Sequence, residues 1–348
     1  MDVIGPDSVA MPGAEVLVRE VIAPLAEQID GTGVPRSSID ALAGAGLLGT
    51  PLPPAEQREV GEVIAMADAS TWFCWVQHQS ALRAADEAAP ALRERWFADL
   101  SSGAALGAVA FAHVRRPGPP NPVARRVDGG WRVAGTLDWV TSWDIADVCM
   151  VMVADADLGD FVRFLLPIEA MPLPGMVIGD PLRLLAMSGT HTRPITLDDV
   201  LVPDALVADV IDADEWRRTD AVRTKDANPA IFGLVRGAVA ELAALDQPAA
   251  RPLVDALVEE CRDVRRRAYA LADIADASNG DARLALRAHA LDLAVRATTA
   301  VVIARSGAAM RSGTSAERRV REAMFLQVQA QTAESRVAGL NRLLSADR

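Results

Sequence analysis

Apolar positions recur at helical spacing through roughly the first hundred residues. In AEVLVREVIAPLAEQI, Val16, Val21, Leu25 and Ile29 fall near one helix face. PRSSIDALAGAGLLG reads as a second helix, with Ser37 as cap ahead of Asp40 and Gly49 as its close. PPAEQREVGEVIAMA opens on prolines followed by acids, as first turns do, and APALRERWFADLSSG ends at Ser-Ser-Gly. From about residue 104 the period changes. ALGAVAFAHV is a continuous apolar run of strand length, and PVARRVDGGWRVAG alternates on both sides of Asp-Gly-Gly, a hairpin signal. ADVCMVMVADADLGDFVRFLLPI repeats that arrangement across DADLGD, and TRPITLDDVLVP is a further strand. From about residue 213 helical spacing returns in four longer runs of bundle length, the last being SAERRVREAMFLQVQAQTAESRVAGLNRLL. Thr314 and Glu317 form a capping box at its start. The pattern predicts an α+β chain, mostly α. An N-terminal helical domain is expected over 1–104, a central antiparallel β-barrel or sandwich over 105–212, and a C-terminal four-helix bundle over 213–348.

Composition narrows the function classes. Of 348 residues 51% are hydrophobic, enough for a sizeable core, and the formal charge is −12. A chain this acidic is not expected to bind nucleic acid, whose phosphates need a basic face. Asp2 and Asp7 stand where a signal peptide would be basic, and no uncharged apolar run reaches membrane-spanning length, so a cytoplasmic protein with no membrane partner is expected. Cys74, Cys149 and Cys261 are odd in number and far apart, as buried thiols rather than a disulfide framework. His78, His113, His191 and His289 show no metal-ligand spacing, and no metal is expected.

The block order and several motifs resemble the acyl-CoA dehydrogenase family. GGWRVAGTLDWVTSWDIADVCMVMVA is similar to that family's central stretch, in which a hairpin leads into Trp-Ile-Thr and then Ala-Asp. LLAMSGTHTRPITLDDVLVPDALV resembles its Met-x-Gly-x-x-Thr segment running into Asp-Val-x-Val-Pro, and ERRVREAM resembles the opening of its last helix. The resemblance spans nearly the whole chain. It implies FAD, an acyl-CoA or other acyl thioester substrate, α,β-desaturation in the manner of fatty acid metabolism, and an oligomer. A carboxylate base takes the α-proton, a poor acid that needs a well-placed acceptor.

Residue by residue, the resemblance places Trp139 on the flavin wall and Thr141 at the flavin N5 edge. It places Gly307 in a remnant of Gln-x-x-Gly-Gly, and Thr332 on the pyrophosphate and adenosine side. Other motif positions are lost. Val114, Arg115 and Arg116 replace Thr-Glu-Pro, the following Gly-Ser-Asp falls in PGPPN, and DQPAARPL lacks the expected Arg-x-x-Phe-Gly, with Arg251 the nearby substitute. The usual glutamate on the last helix falls on Ala330, and the alternative base position on the first bundle helix falls on Ala227. His78 and Asp226 are the remaining candidates for a catalytic base, and the arginine groups at 265–267 and 318–319 are candidates to meet CoA phosphates or to face solvent.

Cofactor and base positions fail together while core signals persist. The favoured expectation is therefore a catalytically impaired or partner-dependent subunit, holding FAD weakly or sharing it in a homo- or hetero-oligomer with a related chain. The alternatives are an active dehydrogenase with a relocated base, a flavin-dependent monooxygenase, and a non-catalytic binding or scaffold protein.

Overall fold

The structure, a computed structural model, describes residues 11–49, 52–115, 122–245, 247–274 and 279–344. The terminal Asp2 and Asp7, Arg116 and the proline-rich stretch 117–121 lie outside the described residues. The first helical run is α1 (Pro12–Leu17), followed by a π turn over Val18–Ile22 and a 3-10 turn over Ala23–Leu25. Pro24 has no N–H to donate, and the regular ladder gives way around it. After α2 (Ile29–Thr32) comes α3 (Arg36–Gly44), whose cap is the extended Pro35 and not Ser37, and which closes at Ala45 rather than Gly49. Then come α4 (Pro54–Ala67), α5 (Ala69–Glu87) and α6 (Pro90–Ser102). Asp68 alone separates α4 from α5. Its extended backbone breaks the ladder, and its carboxylate caps α5 by accepting from the Thr71 N–H at 2.6 Å.

Eight strands form one sheet: β1 (Gly107–Ala110), β2 (Val123–Val127), β3 (Gly130–Val140), β4 (Val148–Asp155), β5 (Phe161–Pro167), β6 (Met176–Ile178), β7 (Arg193–Pro203) and β8 (Val207–Ile211). The order is β6-β7-β3-β2-β4-β5-β8, with β1 also on β4. The two hairpins read from sequence, β2–β3 and β4–β5, pair antiparallel as expected. The sheet as a whole is mixed, because β4 also receives β1 and β2 in parallel. Alternate residues of β4 serve two cores. Cys149, Val151 and Val153 pack with β3 and β7, whereas Val148, Met150 and Met152 pack against α5 and α6.

The remaining helices are α7 (Ala213–Arg223), α8 (Pro229–Ala244), α9 (Arg251–Ala272), α10 (Gly280–Arg305), α11 (Ser315–Val328) and α12 (Ala333–Leu344). Thr314 caps α11 through the Glu317 N–H at 3.4 Å. The final run, read as one bundle helix, is two: α11 stops at Val328, and Ala330 sits in the left-handed region at φ 49°. Residues Gly280–Met310 are long and apolar enough to cross a membrane, yet α10 packs among α8, α9, α11 and α12. The N-terminal helices and the bundle share one core. Gly233 permits this: a Cβ there would lie 2.2 Å from the Glu62 carbonyl oxygen, so α4 and α8 could not approach as they do. Across that contact Glu59 and Glu62 pair with Arg236 and Arg265, and Tyr269 donates to Glu62 at 2.5 Å.

Candidate functional site

A cavity of about 760 Å³ opens where the end of α5, the sheet, α7, the turn into α8 and the α11–α12 break converge. The break makes its floor. Gln329 leaves the helix in extended conformation and Ala330 turns left-handed. Thr332 then caps α12 reciprocally with Ser335: the Ser335 N–H donates to Thr332 Oγ1 at 3.2 Å and the Thr332 N–H to Ser335 Oγ at 2.8 Å. Opposite stands the turn Asp226-Ala227-Asn228, held because Asn228 caps α8 and donates to Gln329 Oε1 at 3.2 Å. Ala227 and Ala330 therefore border the same cavity.

A single guanidinium ties the two turns together. Arg287, on α10 and only 4% exposed, donates to the Thr224 carbonyl at 2.7 Å and the Gln329 carbonyl at 2.6 Å. Burial, reinforced by the neighbouring charge of Arg115, lowers its pKa to about 10. Arg115 lies over the Phe111 ring and grips Asp220 with two bonds of 2.7 and 2.8 Å. Arg163 holds Glu87 at 2.8 Å and also pairs with Asp209. The apolar walls come from Phe111, Met150, Met152 and Trp216.

Asp226 borders this cavity, but Arg283 holds its carboxylate at 2.6 Å. Burial raises the Asp226 pKa above the ordinary carboxylate range, and Arg283 opposes that shift. His78 lies elsewhere. It is wholly buried where α5 meets β1, its Nδ1 accepts from the Gly107 N–H at 3.1 Å, and burial lowers its pKa to about 4. It is a neutral structural acceptor, outside the cavity lining.

The four residues assigned to the cofactor lie outside this cavity's lining. Trp139 on β3 is 48% exposed, away from the cavity lining. Thr141 is buried, and its hydroxyl joins a chain through Thr192 (3.2 Å) to Thr190 (2.8 Å), which donates to the Met187 carbonyl. Thr332 spends its hydroxyl on the α12 cap, and Gly307 is exposed in the turn after α10. The two hydroxyls are thus engaged within the chain, whereas Trp139 and Gly307 are exposed, and none of the four lines the cavity described above. The three cysteines are free and buried. Among the described residues no cluster of His, Cys, Asp and Glu is placed to hold a metal.

The arginine groups have other partners than CoA. Arg318 pairs with Glu322 at 2.5 Å, Arg319 with Glu241 at 3.2 Å, and Arg265 with the buried glutamates, so none of the three is a solvated or phosphate-facing charge. Arg266 and Arg267 are exposed and pair with Asp263 on their own helix. Sequence reasoning missed Arg287, Arg283 and the Arg115–Asp220 pair. The available signal was two arginines four apart, Arg283 and Arg287, among the leucines and alanines of the first half of α10.

No family model matches the sequence, and no curated protein matches it. Solved structures match its fold over nearly its whole length. Butyryl-CoA dehydrogenase from Megasphaera elsdenii aligns at a TM-score of 0.75 with 17% identity, covering 99% of each chain. Glutaryl-CoA dehydrogenase from Mycobacterium smegmatis, in complex with FADH2, aligns at 0.75 with 18% identity, covering 97% of this chain and 94% of its own. Dibenzothiophene monooxygenase from Paenibacillus sp. A11-2 aligns at 0.71 with 18% identity, covering 95% and 96%. The chain has the acyl-CoA dehydrogenase fold.

Proposed function

We propose that this chain is a ligand-binding subunit on the acyl-CoA dehydrogenase fold that lacks its own base for α-proton removal and depends on a related partner chain for redox chemistry. One observation carries the reading. Ala227 and Ala330, the two positions at which the resemblance places a base, border the cavity with methyl groups. Of the carboxylates that line it, Asp220, Asp226 and Glu87 are held by Arg115, Arg283 and Arg163, and Asp212 and Glu215 stand at the start of α7, where Asp212 serves as the cap. A methyl group cannot accept a proton, and a missing positioned base typically costs about 10²–10⁴ in rate. FAD, where present, is shared with a partner chain that contributes the grip Trp139, Thr141, Gly307 and Thr332 do not supply. When bound it would supply the electron acceptor. This chain's own contribution is the cavity and the two turns that Arg287 holds in place. An acyl thioester is the ligand class the fold suggests, a homo- or hetero-oligomer the expected assembly, and the cytoplasm the expected setting. The division into blocks at about residues 104 and 212 belongs to the same proposal.

A flavin-dependent monooxygenase is the second reading, favoured by the same alanines at positions 227 and 330, since oxygen transfer needs no α-proton acceptor. The test is purification of the chain alone and with a related partner, with flavin absorbance, acyl-CoA oxidation and oxygen uptake measured on each. Little flavin and no turnover alone, with both restored by the partner, is the expected result. A full, dialysis-resistant complement of FAD together with thioester oxidation by the lone chain would overturn the proposal.

A further inference from the structure

The cavity floor carries a positive charge that no carboxylate touches. Arg287 bonds only main-chain carbonyls, and its Nε has no partner. The nearest acid, Asp226, gives its carboxylate to Arg283. Arg115 uses Nε and Nη2 on Asp220. The lining as a whole is balanced, with Arg83, Arg115, Arg163, Arg223 and Arg287 against Glu87, Asp212, Glu215, Asp220 and Asp226, so what is unmatched is local: the buried Arg287 guanidinium, which bonds no carboxylate. A buried charge without a counter-ion is costly and is retained only where something offsets it. The walls beside it, Phe111, Met150, Met152 and Trp216, are apolar. Apolar walls beside a buried cation that no carboxylate bonds suit an amphipathic anion. Guanidinium matches a planar carboxylate with parallel bonds, whereas a bare phosphate would leave the apolar walls uncovered.

We infer that this cavity binds a carboxylic acid, its oxyanion against Arg287 and Arg115 and its apolar body along Phe111, Met150, Met152 and Trp216. The inference rests on the cavity being the ligand site, as proposed above, and adds the charge of the ligand to it.

Calorimetry on the full chain at low salt tests it, using sodium octanoate, octanamide and sodium phosphate as probes. Octanoate should bind at least about tenfold more tightly than octanamide and should weaken as salt is raised. Ala330→Glu places a carboxylate beside Arg287 within the chain, and it should reduce octanoate affinity at least about tenfold more than octanamide affinity. Arg287→Lys should keep the preference for the acid, and Arg287→Gln should lose it. If Arg287→Gln fails to fold, because Arg287 also ties two turns, the Ala330→Glu and Arg287→Lys measurements still decide. Equal binding of octanamide and octanoate would overturn the carboxylate inference and leave the cavity as the ligand site. Phosphate binding as tightly as octanoate would overturn the choice of carboxylate. Binding of none of the probes would overturn the cavity reading itself.

Discussion

Replacing Asp68 by asparagine should stabilise the protein at neutral and alkaline pH. Asp68 is 1% exposed and lies beside Glu322, with Arg318 between them: Arg318 bonds Glu322 at 2.5 Å and stands 3.9 Å from Asp68. Two carboxylates thus share one guanidinium. Burial, and then the Glu322 charge, raise the Asp68 pKa from 3.8 to about 6, against the opposing pull of Arg318 and Thr71. The sign follows from linkage. The folded state holds this proton more tightly than the unfolded chain, so stability is lost as pH rises from about 4 to about 6, and the loss is complete above that. A rise of about two units corresponds to about 3 kcal/mol. Asparagine removes the charge and keeps the capping oxygen, for Asn and Asp are comparable N-caps. Its amide can also donate to Glu322 Oε2, which has no partner. The lost attraction between a carboxylate and the α5 N-terminus offsets about 0.5 kcal/mol. A net gain of about 2 kcal/mol is therefore expected at pH 8, shrinking to nothing near pH 4. Urea denaturation of both proteins at pH 4.5, 6 and 8 measures it. A variant less stable at pH 8, or a difference that does not change with pH, would refute the reasoning, because Asp68 would then be a stabilised carboxylate.

Three further outcomes are expected. Ala330→Glu should let the chain exchange the α-proton of an acyl thioester with deuterated water, followed by NMR and needing no flavin; exchange already present in the natural chain would remove the missing-base argument. Arg265→Met leaves Glu59 and Glu62 buried with one arginine between them and should cost about 3–5 kcal/mol in denaturant unfolding; a loss below 1 kcal/mol would show that the cluster is not the tie between α4 and the bundle. Val337, Leu340 and Leu344 of α12 are 56%, 56% and 82% exposed, which fits an assembled protein, so light scattering should find a dimer or larger; a monodisperse monomer at high concentration would count against it.

Element types and order were legible because each block holds one hydrophobic period over many residues. The parallel pairings of β1 and β2 with β4 were not legible, since they join segments far apart and leave no local signal. The break after Val328 was hidden for a different reason: Gln, Ala and Thr continue a helical pattern tolerably, and only the left-handed Ala330 ends it. Thr332 and Ser335, three apart, were a visible capping signal that the longer periodicity masked. Ala227 and Ala330 could be located by counting from motifs. Arg287 could not, because an arginine among leucines and alanines does not reveal whether it faces a carboxylate, a carbonyl or a ligand.

On the proposed reading, alanine at position 330 and the Arg287 charge without a carboxylate partner are connected. A glutamate at 330 would stand beside Arg287, and the two charges would largely cancel. With alanine there, Arg287 still performs its mechanical task, holding the Thr224 and Gln329 carbonyls and so the two turns that shape the floor. That task needs the guanidinium hydrogens and not the net charge. The charge is then left over, in a place where burial and Arg115 both disfavour it. On the proposed reading the Arg287 charge is available to an incoming anion. If alanine at 330 both withholds a base and leaves Arg287 open to an anion, as proposed, the two properties should be recovered or lost together in variants at this position.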